Sequence, residues 1–126
     1  MNKKPIRGEI WLTDLDPVVG HEQAKLRPCL IISDDDFNST ASKLAVIIPL
    51  TSQYRNTPWY VEVDPPNGGL NKISYIMCNH VRTVSHLRFS KKCGLIDNDT
   101  IKQVEFRICM LFGLTSSSLQ FTLNND

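Results

Sequence analysis

Short β-prone segments separated by turn residues recur along most of the chain, and this feature constrains the fold more than any other. The segment WYVEVD at 59–64 alternates, so that Trp59, Val61 and Val63 share one face of a strand. The sequence PPNGG that follows at 65–69 is typical of a turn. Strands are predicted at 8–15, 28–33, 44–50, 59–64, 73–85 (one long strand or two short ones) and 91–95.

A single helix of several turns is predicted between Asp97 and Gly113. Asp97 is suited to the N-cap position and Gly113 to the position after the helix. The apolar positions that recur there at helical spacing are Ile101, Val104, Ile108, Leu111 and Phe112. About six short strands and one terminal helix predict a mostly β protein, a small antiparallel barrel on which the helix packs.

The length and composition fit one globular domain. The chain has 126 residues, of which 41% are hydrophobic and 21% charged, and this is enough for one ordinary core. We expect residues 1–114 to form that domain and residues 115–126, which show no clear period, to form a loose tail. No apolar run reaches the ~18 residues of a membrane span, and no secretory signal is recognisable. The expected location is the cytoplasm, with no membrane partner.

The cysteines and histidines show no metal-binding pattern. The cysteines form no CxxC pair, and Cys29 and Cys78 lie in apolar runs, where a reduced thiol packs as a small hydrophobic group. His21, His80 and His86 have no partner at ligand spacing. A phosphate-binding glycine loop and a GxSxG nucleophile motif are also absent. The sequence therefore predicts no metal and no cofactor, and His80 is interpreted as structural.

The loop GHEQAKLRP at 20–28 gathers the side chains that acid–base chemistry needs. They are the imidazole, carboxylate, amide, ammonium and guanidinium groups of His21, Glu22, Gln23, Lys25 and Arg27. From these residues alone, a solvated surface loop explains the composition at least as well as a catalytic site. Cleavage of RNA without a metal requires a base for the 2′-hydroxyl, an acid for the departing 5′ oxygen and donors for the phosphorane. Histidine can serve either proton role near neutrality, whereas arginine stabilises charge.

Three segments of the chain match motifs of a known family. They are RGEIWLTDLDPVVGHEQAKLRPCLIIS at 7–33, IIPLTSQ at 47–53 and CNHVRTV at 78–84. Over about residues 6–114 the chain resembles the MazF/PemK/Kid toxins. The resemblance implies an SH3-like barrel, a homodimer, and sequence-selective cleavage of single-stranded mRNA to a 2′,3′-cyclic phosphate and a 5′-hydroxyl. It also implies a type II toxin–antitoxin system, with neutralisation by a cognate antitoxin and DNA reached only through that antitoxin.

The resemblance also implies which residues react. Arg27 matches the catalytic arginine before proline, and Thr51 matches the strand threonine that donates to the phosphate. Glu22 matches the loop glutamate, and His21 matches the histidine of the Kid branch. We therefore expect these four residues to be catalytic.

One part of the Kid pattern is missing. The Kid branch uses an arginine and an aspartate on a late strand, where this chain has Met77 and Asn79. This departure favours Arg27 with Thr51 as the reactive pair and makes Met77 an expected core residue. The residues expected to contact RNA are Gln23, Lys25, Gln53, Asn79 and Arg82.

Two other functions stay open. A CcdB-like gyrase poison shares the barrel, but such proteins end in Trp-Gly-Ile, where this chain has Phe112, Gly113 and Leu114. A catalytically weak homologue that acts as an antitoxin-binding co-repressor is compatible with the departures at Met77 and Asn79. The net charge of +1 gives little general attraction for RNA, so positive charge must be concentrated locally.

Overall fold

The computed structural model describes residues 4–15 and 26–114, which form a seven-stranded sheet with two helices. The strands are β1 Glu9–Asp14, β2 Leu26–Ile31, β3 Leu44–Thr51, β4 Tyr60–Val63, β5 Ser74–Met77, β6 Arg82–Ser85 and β7 Phe89–Leu95. The helices are α1 Asp35–Asn38 and α2 Asn98–Phe112. The segment 73–85 therefore contains two short strands. Most of the loop at 20–28 and the tail at 115–126 lie outside the described residues, so the predicted loose tail stays a prediction.

The strands pair only in antiparallel fashion. Their order is β4-β5-β3-β2-β1-β7, and β6 pairs with β3. Within residues 4–15 and 26–114, no strand pairing joins β4 to β7, so the sheet is open at this point. The turn Asn67–Gly69 packs against β7, where the backbones at Gly69 and Gly94 approach closely. The predicted mostly β fold with a C-terminal helix is confirmed, and its sheet is not a closed barrel.

Strand β3 connects the two halves of the sheet. One edge pairs with β2 through residues 47–49. The other edge pairs first with β6, through residues 44–47, and then with β5, through residues 50–51. Pro49 lies between these last two stretches, where its missing N–H interrupts neither ladder. The turn Cys78–His80, which links β5 to β6, lies at this break.

A hydrophobic core lies on each face of the sheet. Successive residues of one strand point to opposite faces, so Leu30 belongs to the core beneath α2 whereas Cys29 belongs to the second core. Trp11 and Phe89 fill the second core, with ring centroids 5.6 Å apart. Cys29 and Cys78 are free and buried, as predicted for thiols that pack as small hydrophobic groups.

Helix α2 begins and ends as predicted. The Asp97 carboxylate accepts a hydrogen bond from the Thr100 backbone N–H at the N-terminus. Gly113 ends the helix in the left-handed conformation, with φ of 67°. No helix in the described part of the chain is long and apolar enough to cross a membrane.

The predicted apolar face of α2 is correct only for its first turns. Ile101 and Val104 are buried in the core beneath the helix, and Ile108 packs against it from a partly buried position. Leu111 and Phe112, predicted to continue this face, are 36% and 59% exposed. The difference arises because the core of the sheet reaches along the helix only to Ile108.

Gly69→Ala is expected to destabilise the fold more than Gly113→Ala. Both glycines have positive φ, 71° and 67°, so alanine at either position costs about 1–2 kcal/mol. A Cβ atom at Gly69 would also lie 1.9 Å from the Cys93 carbonyl oxygen, whereas nothing lies within 4 Å of one at Gly113. Because β7 would have to move, urea denaturation should reveal an additional loss of at least about 1 kcal/mol at Gly69. Equal losses would show that the turn does not fix β7.

Candidate active site

A groove of about 710 Å³ opens where β2 begins and β3 ends, and Arg27 and Thr51 both line it. Cys29 of β2 pairs with Pro49 of β3. Extending this register by two residues, toward the start of β2 and the end of β3, places Arg27 opposite Thr51. Because side chains alternate along a strand, both residues are on the face of the sheet that carries Cys29 and the second core. The fold thus brings together the two residues that the resemblance pairs.

Strands β4 and β5 contribute the other wall of this groove. Tyr60 precedes the buried Val61 in β4, and strand alternation turns it toward the groove. Ser74 and Met77 of β5 also line the groove. Met77 is only 6% exposed, so it is the buried residue expected from the sequence and at the same time part of the groove floor.

The groove concentrates positive charge. Its lining, as far as the described residues form it, contains Arg27, Arg55, Lys72 and His80 but no aspartate or glutamate, and we call it the cationic groove. Within residues 4–15 and 26–114, the Arg27 guanidinium forms no hydrogen bond and no ion pair. A chain of net charge +1 therefore presents a local positive potential here, with a bidentate donor free to bind an anion.

A second groove, of about 350 Å³, adjoins the first and is called the side groove. The two grooves share Arg27, Met77 and His80. Arg82 lines the side groove and adds another cation, and none of the described residues in this lining is a carboxylate. The two grooves form one cationic surface that is continuous past Arg27.

The thiol of Cys29 lies beneath this surface. Burial raises its pKa to about 11, while a hydrogen bond with Thr13 and the charges of Arg27 and Arg82 act in the opposite direction. Both guanidiniums therefore lie near one buried thiol, on the same side of the sheet. An anion bound between them would face two positive charges.

Thr51 has a hydrogen to donate. Its Oγ1 accepts a hydrogen bond from the Gln53 backbone N–H at 3.2 Å, and this leaves the hydroxyl proton for another acceptor. Gln53 also lines the cationic groove, in the loop that follows β3. The end of β3 thus offers a hydroxyl and an amide side chain beside Arg27.

The other predicted site residues are less well placed or lie outside the described part. Asn79 is exposed in the turn Cys78–His80 and lines neither groove. The catalytic and RNA-binding residues predicted in the loop before β2 lie outside the described residues, so their roles stay predictions. They are His21, Glu22, Gln23 and Lys25.

Three lining residues are missed by sequence reasoning. Arg55 and Lys72 lie in the loops before β4 and β5, and no motif marks them, because only the pairing of the strands brings them to the groove. His80, interpreted as structural, is exposed and lines both grooves. The signal that could have identified His80 was its position next to Asn79, in a segment that matches the family.

An open antiparallel sheet, a C-terminal helix and a groove lined by several cations define a small β protein suited to binding a phosphate-containing ligand. The chain belongs to the family of PemK-like, MazF-like toxins of type II toxin–antitoxin systems, which it matches over residues 6–112. The resemblance drawn from the sequence segments is thereby confirmed.

Relatives of known activity match most of the chain. Endoribonuclease EndoA of Bacillus subtilis is 32% identical over 101 residues, 79% of this chain and 86% of its own length. Endoribonuclease MazF of Staphylococcus saprophyticus is 31% identical over 110 residues, 86% of this chain and 91% of its own length.

Solved structures share the fold at lower identity. A chain of the MazE–MazF crystal structure (Form-II) from Deinococcus radiodurans is 23% identical, with a TM-score of 0.77, and the match covers 90% of this chain and 100% of that chain. MazF (Form-I) from the same organism is 24% identical, with a TM-score of 0.72 and coverage of 89% and 99%.

Proposed function

We propose that the protein is a sequence-selective, metal-independent endoribonuclease that cuts single-stranded mRNA and thereby inhibits translation and growth. The observation that supports this proposal is the cationic groove, where Arg27 and Thr51 lie together among described lining residues that include several cations and no carboxylate. Two relatives that match most of the chain are named endoribonucleases. The protein acts in the cytoplasm, with residues 1–114 as the toxin domain and 115–126 as a tail.

The reaction is an internal displacement at phosphorus. The 2′ oxygen attacks the adjacent phosphate, the bond to the 5′ oxygen breaks, and the products carry a 2′,3′-cyclic phosphate and a 5′-hydroxyl. Arg27 offers two parallel N–H donors to the phosphorane, and Thr51 adds a hydroxyl donor. Charge develops on the phosphoryl oxygens in the transition state, so these donors accelerate the reaction itself and not only binding.

The loop before β2 supplies the remaining groups. Glu22 is the base that accepts the 2′-hydroxyl proton, and His21 assists proton transfer from the neighbouring position. Gln23 and Lys25 contact the RNA from the same loop. Support comes from the sequence, since all four residues precede Arg27 within the segment that carries the family match.

Further contacts hold the RNA on either side of the reacting phosphate. Gln53 in the cationic groove and Arg82 in the side groove bind bases and phosphates, respectively. Asn79 contacts the RNA from the turn Cys78–His80. Tyr60 offers an aromatic face in the groove on which a base can stack.

A cognate antitoxin covers the same surface when the toxin is inactive. A MazE–MazF complex is among the solved structures with this fold, and an acidic, extended antitoxin segment is complementary to a groove lined by several cations. The toxin acts as a homodimer and reaches DNA only through the antitoxin.

A catalytically weak, antitoxin-binding homologue is the second candidate. It is favoured by Met77, which is buried where the Kid branch has a reactive arginine, and by Asn79, which lines neither groove. A gyrase poison of the CcdB kind has no such support, because the chain matches the PemK-like and MazF-like family and two endoribonucleases.

Arg27→Ala is expected to slow RNA cleavage by at least about 10²–10³-fold, because it removes a preorganised donor to the phosphorane. The test incubates a long single-stranded RNA with protein in excess EDTA and maps the 5′ ends. Wild-type protein should make discrete cuts with 5′-hydroxyl ends. Lys102→Ala, which removes an equal charge from an exposed position on α2, should cleave like wild type. A folded Arg27→Ala variant with wild-type rate would overturn the site, and an inactive wild-type protein would favour the second candidate.

Arg82→Ala is expected to reduce the salt dependence of RNA binding. Each phosphate contact to single-stranded RNA contributes about 0.7 to the slope of log affinity against log salt concentration, since binding releases a counterion. The affinity for an RNA with methylated 2′-hydroxyls, which cannot be cleaved, should be measured by fluorescence anisotropy over a range of salt. The slope should fall by about 0.7 in Arg82→Ala and remain unchanged in Lys102→Ala. An unchanged slope in Arg82→Ala would remove Arg82 from the RNA interface.

A further inference from the structure

His80 occupies the junction of the two grooves. It ends the turn Cys78–His80 that links β5 to β6, at the point where one edge of β3 changes from one pairing strand to the other. This break in the ladder leaves the turn free to present a side chain outward. His80 is exposed and, with Arg27 and Met77, is one of the three residues that line both grooves.

Among the described residues, the imidazole of His80 has no hydrogen-bond partner, in contrast to that of His86. The ring of His86 lies 3.1 Å from the Leu44 carbonyl oxygen through Nε2 and packs near Phe89. His80 forms no hydrogen bond and no ion pair with any residue in 4–15 or 26–114. Both ring nitrogens of His80 are therefore available to a ligand in the grooves.

Among the described residues that line the two grooves, only His80 has a side chain of the type that exchanges a proton near neutral pH. Arginine and lysine remain charged under those conditions, tyrosine and hydroxyl groups remain protonated, and neither lining contains aspartate or glutamate. Histidine is the side chain whose charge normally changes between pH 5 and 8. Within the described lining, His80 is therefore the side chain suited to exchange a proton with the RNA.

We propose that His80 is a catalytic residue, the general acid that protonates the departing 5′ oxygen. This inference rests on the proposed endoribonuclease activity. As the bond from the 2′ oxygen to phosphorus forms and the bond to the 5′ oxygen breaks, the imidazolium gives its proton to the 5′ oxygen. The 2′-hydroxyl proton goes to a base, for which Glu22 is the proposed group. Water returns a proton to His80 after the products leave, so no oxidant, reductant or metal takes part.

The surrounding charges tie this step to RNA binding. The groups that share the grooves with His80 are Arg27 from β2, Arg55 and Lys72 from the loops, Tyr60 from β4 and Arg82 from β6. These cations attract the phosphate of the RNA to the part of the grooves that His80 lines.

The test compares two leaving groups at the cleavage site mapped with long RNA. One oligonucleotide has the natural 5′ oxygen there, and the other has sulfur in its place, which departs as a thiolate without an acid. His80→Gln removes the ionisable ring at an exposed position without hydrogen bonds, so the fold should be retained, as thermal unfolding can check. We expect His80→Gln to cleave the oxygen substrate about 10²–10⁴-fold more slowly than wild type. On the sulfur substrate its rate should equal that of wild type.

His86→Gln is the matched control, because it changes the other described histidine, which lies outside both grooves. It should cleave both substrates at the wild-type rate. Affinity for the methylated RNA should be similar in both variants. Wild-type cleavage of the oxygen substrate by His80→Gln would overturn the proposal, as would a slow rate that sulfur does not restore. Absence of cleavage by the wild-type protein would instead contradict the proposed function itself, and with it any acid role for His80.

Discussion

The site depends on the pairing of strand β3 with three other strands. β2 pairs with one edge, while β6 and β5 share the other edge in succession. On this edge, the pairing of β3 with β6 ends at Ile47 and its pairing with β5 begins at Leu50. Pro49 lies between the two stretches and therefore breaks neither of these ladders. The same interruption leaves room for the turn that carries His80. One strand therefore sets the floor of the cationic groove, brings Thr51 to its wall and opens the position at which His80 is exposed.

The positive character of the groove arises from Arg27, Arg55 and Lys72 in its lining, while some carboxylates of the chain have structural roles elsewhere. Glu9 is buried and accepts hydrogen bonds from the Ile6 backbone N–H and the Trp11 indole. Asp97 caps α2. Hydrogen bonds from the side chain and the backbone N–H of Thr100 lower the pKa of Asp97, and the side-chain bond has the larger effect. Such placements stabilise structure and keep negative charge away from Arg27. A chain of almost zero net charge can thus present a strongly cationic site.

Sequence patterns predict the architecture better than the site. The alternation around Val61 and the caps of α2 are local signals, and both were correct because strand and helix geometry decide them. The family segments are also local in the sequence, and the family match confirmed them. The position of Lys72 depends instead on how β4 and β5 pair, which no local pattern records. The exposure of Phe112 depends on where the core beneath the helix ends. The exposure of His80 in both grooves depends on the turn between β5 and β6, which spacing rules for metal ligands do not detect.

The central claim is that RNA binds along the two joined grooves. Amide chemical shifts of ¹⁵N-labelled protein during titration with RNA methylated at every 2′-hydroxyl test this claim most directly. The account predicts that the largest changes occur at Arg27, Thr51 and His80. Amides around Lys43 and Leu87, which line a separate cavity of about 660 Å³, should not change. The largest changes at that cavity or along α2, with the groove amides unaffected, would contradict the account.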